Sequence, residues 1–293
     1  MDKFVSDQAA GLRRLLGQAG FQVITVMSGQ QGAGKTAATA NLAVALARSG
    51  RDVLIIDQDK HGRGAAAALG LTPRFDVSDV IEGRCALEAL ILNGPDNVQV
   101  LPIGGGFNRL GRLSERDQEW LARSFNHLQC GVDVVLVDME EATDPDALPL
   151  GLAASEIMVV LPPGNAAITE GYTLVKRLAN NFGKRQFRLL LNRMESPEQA
   201  QAVAHNFAHT AERYLGVSVD YLGYIPLDER LTRAGHLRTS VMEAFPVAQS
   251  TSQFRKLADG LLRWPQPSSL GSVGGFMQRV IEGSRLVDAC RRG

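Results

Sequence analysis

Gly29-Gln30-Gln31-Gly32-Ala33-Gly34-Lys35-Thr36 satisfies the pattern G-x-x-x-x-G-K-S/T at every fixed position. An apolar run, Val23-Ile24-Thr25-Val26-Met27, precedes it, and an amphipathic stretch from Thr39 to Ala47 follows. Strand, loop and helix in that order are the setting in which this motif cradles phosphate. Glycines let backbone N–H groups turn inward around phosphate oxygens, and the following helix turns its positive end to the same anion. The loop from Gly29 to Thr36 is thus the expected phosphate site. Lys35 would reach the terminal phosphates and Thr36 would ligate Mg²⁺.

The rest of the chain fits that start. Its 293 residues, 45% apolar and 21% charged, suit one large α/β domain with appendages. Lys+Arg and Asp+Glu are both 31, so no global basic field argues for direct nucleic-acid binding. Cys85, Cys130 and Cys290 are scattered, with neither metal nor disulfide spacing, which sets a reducing cytoplasm as the expected compartment. Asp7, Arg13 and Arg14 interrupt the N-terminal segment, so it reads as neither signal peptide nor membrane span.

Strands are predicted at 21–28, 52–57, 97–102, 132–138, 156–161, 186–192 and 219–224. Helices are predicted at 35–48, 114–129, 168–181, 197–214 and 250–262. Runs such as Val134-Val135-Leu136-Val137 and Ile157-Met158-Val159-Val160 are almost continuously apolar. Strands of that kind are buried on both faces, so the expected fold is α/β, a mostly parallel sheet flanked by helices. Four segments are expected: a helix over 1–18, a nucleotide domain over 19–262, a linker over 263–272 and an amphipathic helical tail over 273–293.

Two strand-end carboxylates complete the expected site. Asp138 closes an apolar strand, where ligands bind in open parallel sheets, and a carboxylate there can hold the Mg²⁺ shell. Asp59 follows the strand ending at Asp57 and can orient an attacking water. In this order of motifs the chain resembles the MinD/ParA group of P-loop ATPases over about residues 20–262. The resembling segments are the phosphate loop, Asp57-x-Asp59, Asp138, Pro163 to Lys176, Asn192-Arg193 and Gly223-Tyr224-Ile225-Pro226-Leu227-Asp228. The resemblance implies ATP and Mg²⁺ as ligands. It also implies that Asn192, with Pro226 and Asp228, contacts the adenine base.

Within the group the chain is similar to the FlhG (FleN) branch, regulators of flagellar number. Asp7-Gln8-Ala9-Ala10-Gly11-Leu12-Arg13 resembles that branch's D-Q-A-x-x-L-R motif, and Ala167-Ile168-Thr169-Glu170-Gly171-Tyr172 its A-I-T-D-A-Y. The resemblance implies an ATP-dependent homodimer. It implies that Asp7, Gln8, Leu12 and Arg13 stimulate an SRP-type GTPase of the FlhF kind. It further implies flagellar switch-ring proteins or a flagellar transcriptional regulator as candidate partners.

The chain departs from the group at three places. Gln30 stands where the group carries a second lysine that reaches a partner subunit's phosphates. Met139-Glu140-Glu141 replaces a small, Pro- and Gly-containing run, and Lys60-His61-Gly62-Arg63-Gly64 lacks the usual Gly-Leu and Asn. One cation is lost and two carboxylates are gained near the expected phosphates. Because phosphoryl transfer depends on stabilising transition-state charge, hydrolysis should suffer more than binding, leaving at most a slow ATPase. Lys60 or Arg63 could replace the lost charge.

In the tail, Phe276, Met277, Val280 and Ile281 fall on one helical stripe, with Arg279, Arg285, Arg291 and Arg292 outside it. Such a helix suits peripheral binding to an anionic membrane. Docking on its own domain or on a partner would use the same stripe. Three other functions remain open: a nucleotide-independent scaffold of the same fold, a positioning protein for another surface machine, and a small-molecule ligase.

Overall fold

The computed structural model describes residues 22–104, 113–127, 131–139, 148–264 and 273–292. The expected N-terminal helix, most of the linker, and Glu140 and Glu141 lie outside the described residues. The strands are β1 (Gln22–Met27), β2 (Val53–Asp57), β3 (Leu92–Asn93), β4 (Gln99–Pro102), β5 (Val134–Asp138), β6 (Glu156–Leu161), β7 (Gln186–Met194) and β8 (Ser218–Pro226). The α-helices before β6 are α1 (Lys35–Arg48), α2 (Ala65–Ala68), α3 (Val77–Ile81), α4 (Glu115–His127) and α5 (Leu148–Leu152). After it come α6 (Asn165–Phe182), α7 (Pro197–Leu215), α8 (Glu229–His236), α9 (Val241–Ala244), α10 (Gln249–Leu262) and α11 (Val273–Arg292).

The eight strands form one sheet in the order β3-β4-β2-β5-β1-β6-β7-β8. Every pairing is parallel except the short β3–β4 edge. All seven expected strands are present, with ends shifted by a few residues. The one not expected, β3, is two residues long and too short to leave a pattern.

Alternation along the strands supplies two cores. Val23 and Met27 of β1 join Leu54, Ile56, Val135 and Val137 on one face, under α4, α6 and α7. Ile24 and Val26 join Ile55 and Leu136 on the other, against α1 and α10. Helix α1 is alanine-rich because it runs across the centre of the sheet, and its residues 38–46 are all buried.

The tail is a helix, as expected, but its apolar stripe is not free. Phe276 and Met277 are 0% exposed, Val280 1% and Ile281 5%, all within the core that holds Val23 and Leu54. They are packed against α4 and α5. In this conformation the four residues expected to meet a membrane are instead part of the protein interior. The reason is the same apolar stripe: burying it against protein removes as much surface from water as lipid would. No helix among the described residues is long and apolar enough to cross a membrane.

Candidate functional site

β1 lies in the middle of the sheet, so the loop that leaves its C-terminal end emerges where ligands reach an open parallel sheet. The loop needs its glycines. Gly32 and Gly34 have φ of 72° and 89°, a region costly for residues with a Cβ. Gly34 immediately precedes α1, so the first amides of that 14-residue helix face the loop. Ser28 Oγ donates to the Gln30 carbonyl at 2.6 Å and tightens the loop's entry.

On one side stand the acids. Asp57 and Asp138 end neighbouring strands and are paired in register. Both are 3% exposed. Asp57 spends its carboxylate on the following loop: Oδ1 accepts from Asp59 N at 3.1 Å and Oδ2 from Ala66 N at 2.8 Å. Asp59 Oδ2 accepts from His61 N at 3.1 Å and Arg63 N at 2.7 Å. Asp138 is different. Its Oδ1 is buried with no hydrogen-bond partner. Burial, and next the charge of Asp57, push its carboxyl up to about 7, against the lowering effects of the Thr36 hydrogen bond and Lys35. A buried acceptor without a donor is costly in a native fold. Beside Thr36 and Lys35 it suits a cation, and oxygen donors of this kind favour Mg²⁺.

A cavity of about 460 Å³ joins these parts. It is lined by Gln31 to Ala37, Asp59, Arg63, Gly64, Ala68, Asp138, Met139 and Arg193. Lys35, Thr36, Asp59 and Asp138, expected from sequence, are therefore together, as are Gln31, Gly32, Ala33 and Gly34.

The other expected contacts among the described residues do not line this cavity. Gly29 backs onto α6, where a Cβ would overlap the Glu170 carbonyl, and neither it nor Gln30 lines the cavity. Asn192 lies beneath the loop: Nδ2 donates to the Ala33 carbonyl at 2.8 Å, and Oδ1 accepts from Arg193 N at 2.9 Å. A Cβ on Gly34 would overlap that same Nδ2. The amide expected to meet adenine thus braces the phosphate loop. Asp228 caps α8 through Arg230 N at 2.9 Å and ties down Ser250, whose N and Oγ donate to its Oδ2 at 3.0 and 2.7 Å. Pro226 is buried at the end of β8. Asp7, Gln8, Leu12 and Arg13 lie outside the described residues.

Arg193 was visible in the sequence beside Asn192 but had no expected role. It is exposed, has φ of 57° and lines the cavity. Replacing Asn192 with Ala should release the Ala33 carbonyl, destabilise the fold by about 1–3 kcal/mol and loosen the loop. A thermal melt, with hydrogen exchange at residues 31–36, would read both.

A phosphate loop at a central strand end, with the buried Asp138 carboxylate beside its Lys and Thr, is a nucleotide site. Residues 24–239 match the CobQ/CobB/MinD/ParA nucleotide-binding domain. The chain belongs to that family. It is 33% identical over 262 residues to the antiactivator FleN of Pseudomonas aeruginosa, covering 89% of this chain and 94% of that one. Among solved structures, the septum site-determining protein MinD of Pyrococcus horikoshii, complexed with Mg-ADP, superposes with a TM-score of 0.63 at 25% identity. That match covers 82% of this chain and 96% of the other. The MinD cell division protein of Aquifex aeolicus shares the fold, with a TM-score of 0.64 at 22% identity over 84% of this chain and 98% of that one.

The expected family and fold class therefore hold. His205 and His209 stack on α7 with ring centroids 6.4 Å apart, and no metal-binding cluster of three or more His, Cys, Asp or Glu occurs among the described residues.

Proposed function

We propose that this chain is an ATP-binding regulator of flagellar number or placement, of the FleN type. The observation that carries the nucleotide half is the buried, partnerless Asp138 Oδ1 beside Lys35 and Thr36. The flagellar half is supported by the 33% identity that spans nearly the whole of both chains.

In this reading Lys35 and the amides of residues 32–36 hold the phosphates, while Thr36 and Asp138 hold Mg²⁺. The metal, when bound, would neutralise phosphate charge and relieve the buried carboxylate. Asp59 positions water, with the 57–66 loop held in place by Asp57. Nucleotide binding favours a homodimer, weakened because Gln30 is neutral where a second lysine would stand. Residues 7–13 stimulate an FlhF-type GTPase. The tail's stripe meets a membrane or partner only after it leaves α4 and α5.

The test is Mg²⁺-ATP binding by calorimetry with light scattering for dimerisation. Lys35→Ala should lower affinity at least about a hundredfold and abolish any nucleotide-dependent dimer, since it removes a charge-assisted contact to phosphate. Flagellar counts in a strain carrying only that variant should change with it. If the wild-type chain binds no nucleotide but still alters flagellar number, the scaffold reading replaces this one.

A further inference from the structure

We propose that Arg63 is the terminal-phosphate contact of this chain. It would supply within one protomer the cationic charge that Gln30 does not carry, so that Arg63 sets the preference for a nucleoside triphosphate over a diphosphate. This rests on the nucleotide-binding reading above.

The argument begins from the order of the strands. β1 has β5 and then β2 on one side, and β6 and then β7 on the other. The loop of residues 29–34 therefore leaves the middle of the sheet with two different walls. Asp57 and Asp138 close the β2/β5 wall, and Asn192 and Arg193 close the β7 wall. The partnerless Asp138 oxygen and Thr36 would hold a metal on the β2/β5 side. A metal held there would neutralise charge on the terminal phosphates, which favours that side of the loop for them.

Three cationic side chains line the cavity: Lys35, Arg63 and Arg193. Only Arg63 extends from the β2 wall beyond the loop's own lysine. Its placement is built rather than incidental. Asp57 pins both ends of the 57–66 loop, through Asp59 N and Ala66 N. Asp59 then fixes Arg63 by its backbone N at 2.7 Å. That hydrogen bond ties the Arg63 backbone, and so the root of its side chain, to the carboxylate suited to orient water. Lys60, the other cation of this loop, lines a neighbouring hollow of about 520 Å³ on the far side of Asp59 and not the phosphate cavity. Arg63 is exposed, and a guanidinium carries five donors in a fork that suits a bidentate phosphate contact.

A triphosphate keeps one more negative charge than a diphosphate, at the position Arg63 addresses. Arg193, on the opposite wall, addresses only what the two nucleotides share. The contrast gives the test. Calorimetry on the full chain would compare Mg²⁺-AMPPNP with Mg²⁺-ADP for wild type, Arg63→Ala, Arg63→Lys, Arg193→Ala and Lys35→Ala. Arg63→Ala should lose about tenfold or more in AMPPNP affinity while ADP affinity stays within about twofold, the difference expected for one charge-assisted contact. Arg63→Lys should recover part of that loss. Arg193→Ala should weaken both nucleotides alike, and Lys35→Ala should abolish both. Equal losses for the two nucleotides in Arg63→Ala, or no loss, would overturn the assignment while leaving nucleotide binding intact. A wild-type chain that binds neither nucleotide would overturn the underlying reading instead.

Discussion

Asp138→Asn should make the nucleotide-free protein more stable at pH 8 and at the same time remove the Mg²⁺-dependent part of nucleotide affinity. The carboxyl is buried, one oxygen has no hydrogen-bond partner, and its protonation midpoint is pushed up to about 7, chiefly by burial and then by the charge of Asp57. In the unfolded chain the same group ionises near its ordinary value of 3.8. Between those two values the folded state binds more protons than the unfolded one. Stability therefore falls as pH rises through that window, and the whole penalty is present above about 7.

An uncharged amide removes that penalty. At pH 8 the variant should gain up to about 4 kcal/mol, seen as a rise of several degrees in melting temperature, while at pH 4 the two proteins should melt alike. The second half of the prediction concerns binding. Mg²⁺-nucleotide needs the ionised carboxylate, so binding to wild type should release a proton below about pH 7, measurable by calorimetry in buffers of different ionisation enthalpy. The variant should release none, and its affinity should no longer respond to Mg²⁺. Parallel melting profiles for the two proteins across pH would sink the claim that this carboxylate is strained in the absence of a cation.

That strain was not legible in the sequence, although Asp138 was. A strand-end aspartate beside a complete phosphate loop points to a metal. Only the packed sheet shows that Asp57 has spent its oxygens on loop amides while Asp138 keeps one without a partner. The sheet itself was readable because a strand buried on both faces, such as Val134–Asp138, cannot avoid being apolar along its length. Helices of four to eight residues, such as α2, α3, α5, α8 and α9, left no such trace, because one or two turns do not establish a 3.6-residue period.

Asn192 shows a different limit. An amide offers a donor and an acceptor to adenine and to a backbone equally well, and only the fold reveals that the Ala33 carbonyl takes the donor. Asp228 likewise serves the fold, as the N-cap of α8 and the partner of Ser250. Arg63 was readable as a charge. Its side of the cavity was not, since that depends on strand order.

The tail offers the largest separation between two readings of one stripe. Phe276, Met277, Val280 and Ile281 are buried against α4 and α5, where Leu121 is 0% and Phe125 1% exposed. The docked state carries its own opposition. Arg279 Nε and Nη2 are buried without hydrogen-bond partners, and burial lowers the Arg279 pKa. Nearby, Lys184 Nζ donates to the Leu152 carbonyl at 2.7 Å, and its pKa is lowered by burial first and by the Arg279 charge second. Two cations brought together in a partly desolvated place favour release, and the apolar contacts favour docking.

Leu121→Ala weakens the receiving face and leaves the stripe itself intact. A large-to-small change of this kind typically costs about 2–5 kcal/mol, enough to tip so balanced an element. Hydrogen exchange at residues 273–284 should accelerate at least about thirtyfold while β1, β5 and β6 stay protected. Vesicles containing anionic lipid should then capture Leu121→Ala and not wild type. Phe276→Asp should undock in the same way but fail to bind vesicles, because it places a charge in the stripe that would have to enter the lipid. Undocking of Leu121→Ala with no vesicle binding would leave the stripe as interior packing, its membrane role removed. Unchanged exchange in both variants would mean that the tail is held as firmly as the sheet, and the buried Arg279 would be a tolerated cost and not a release device.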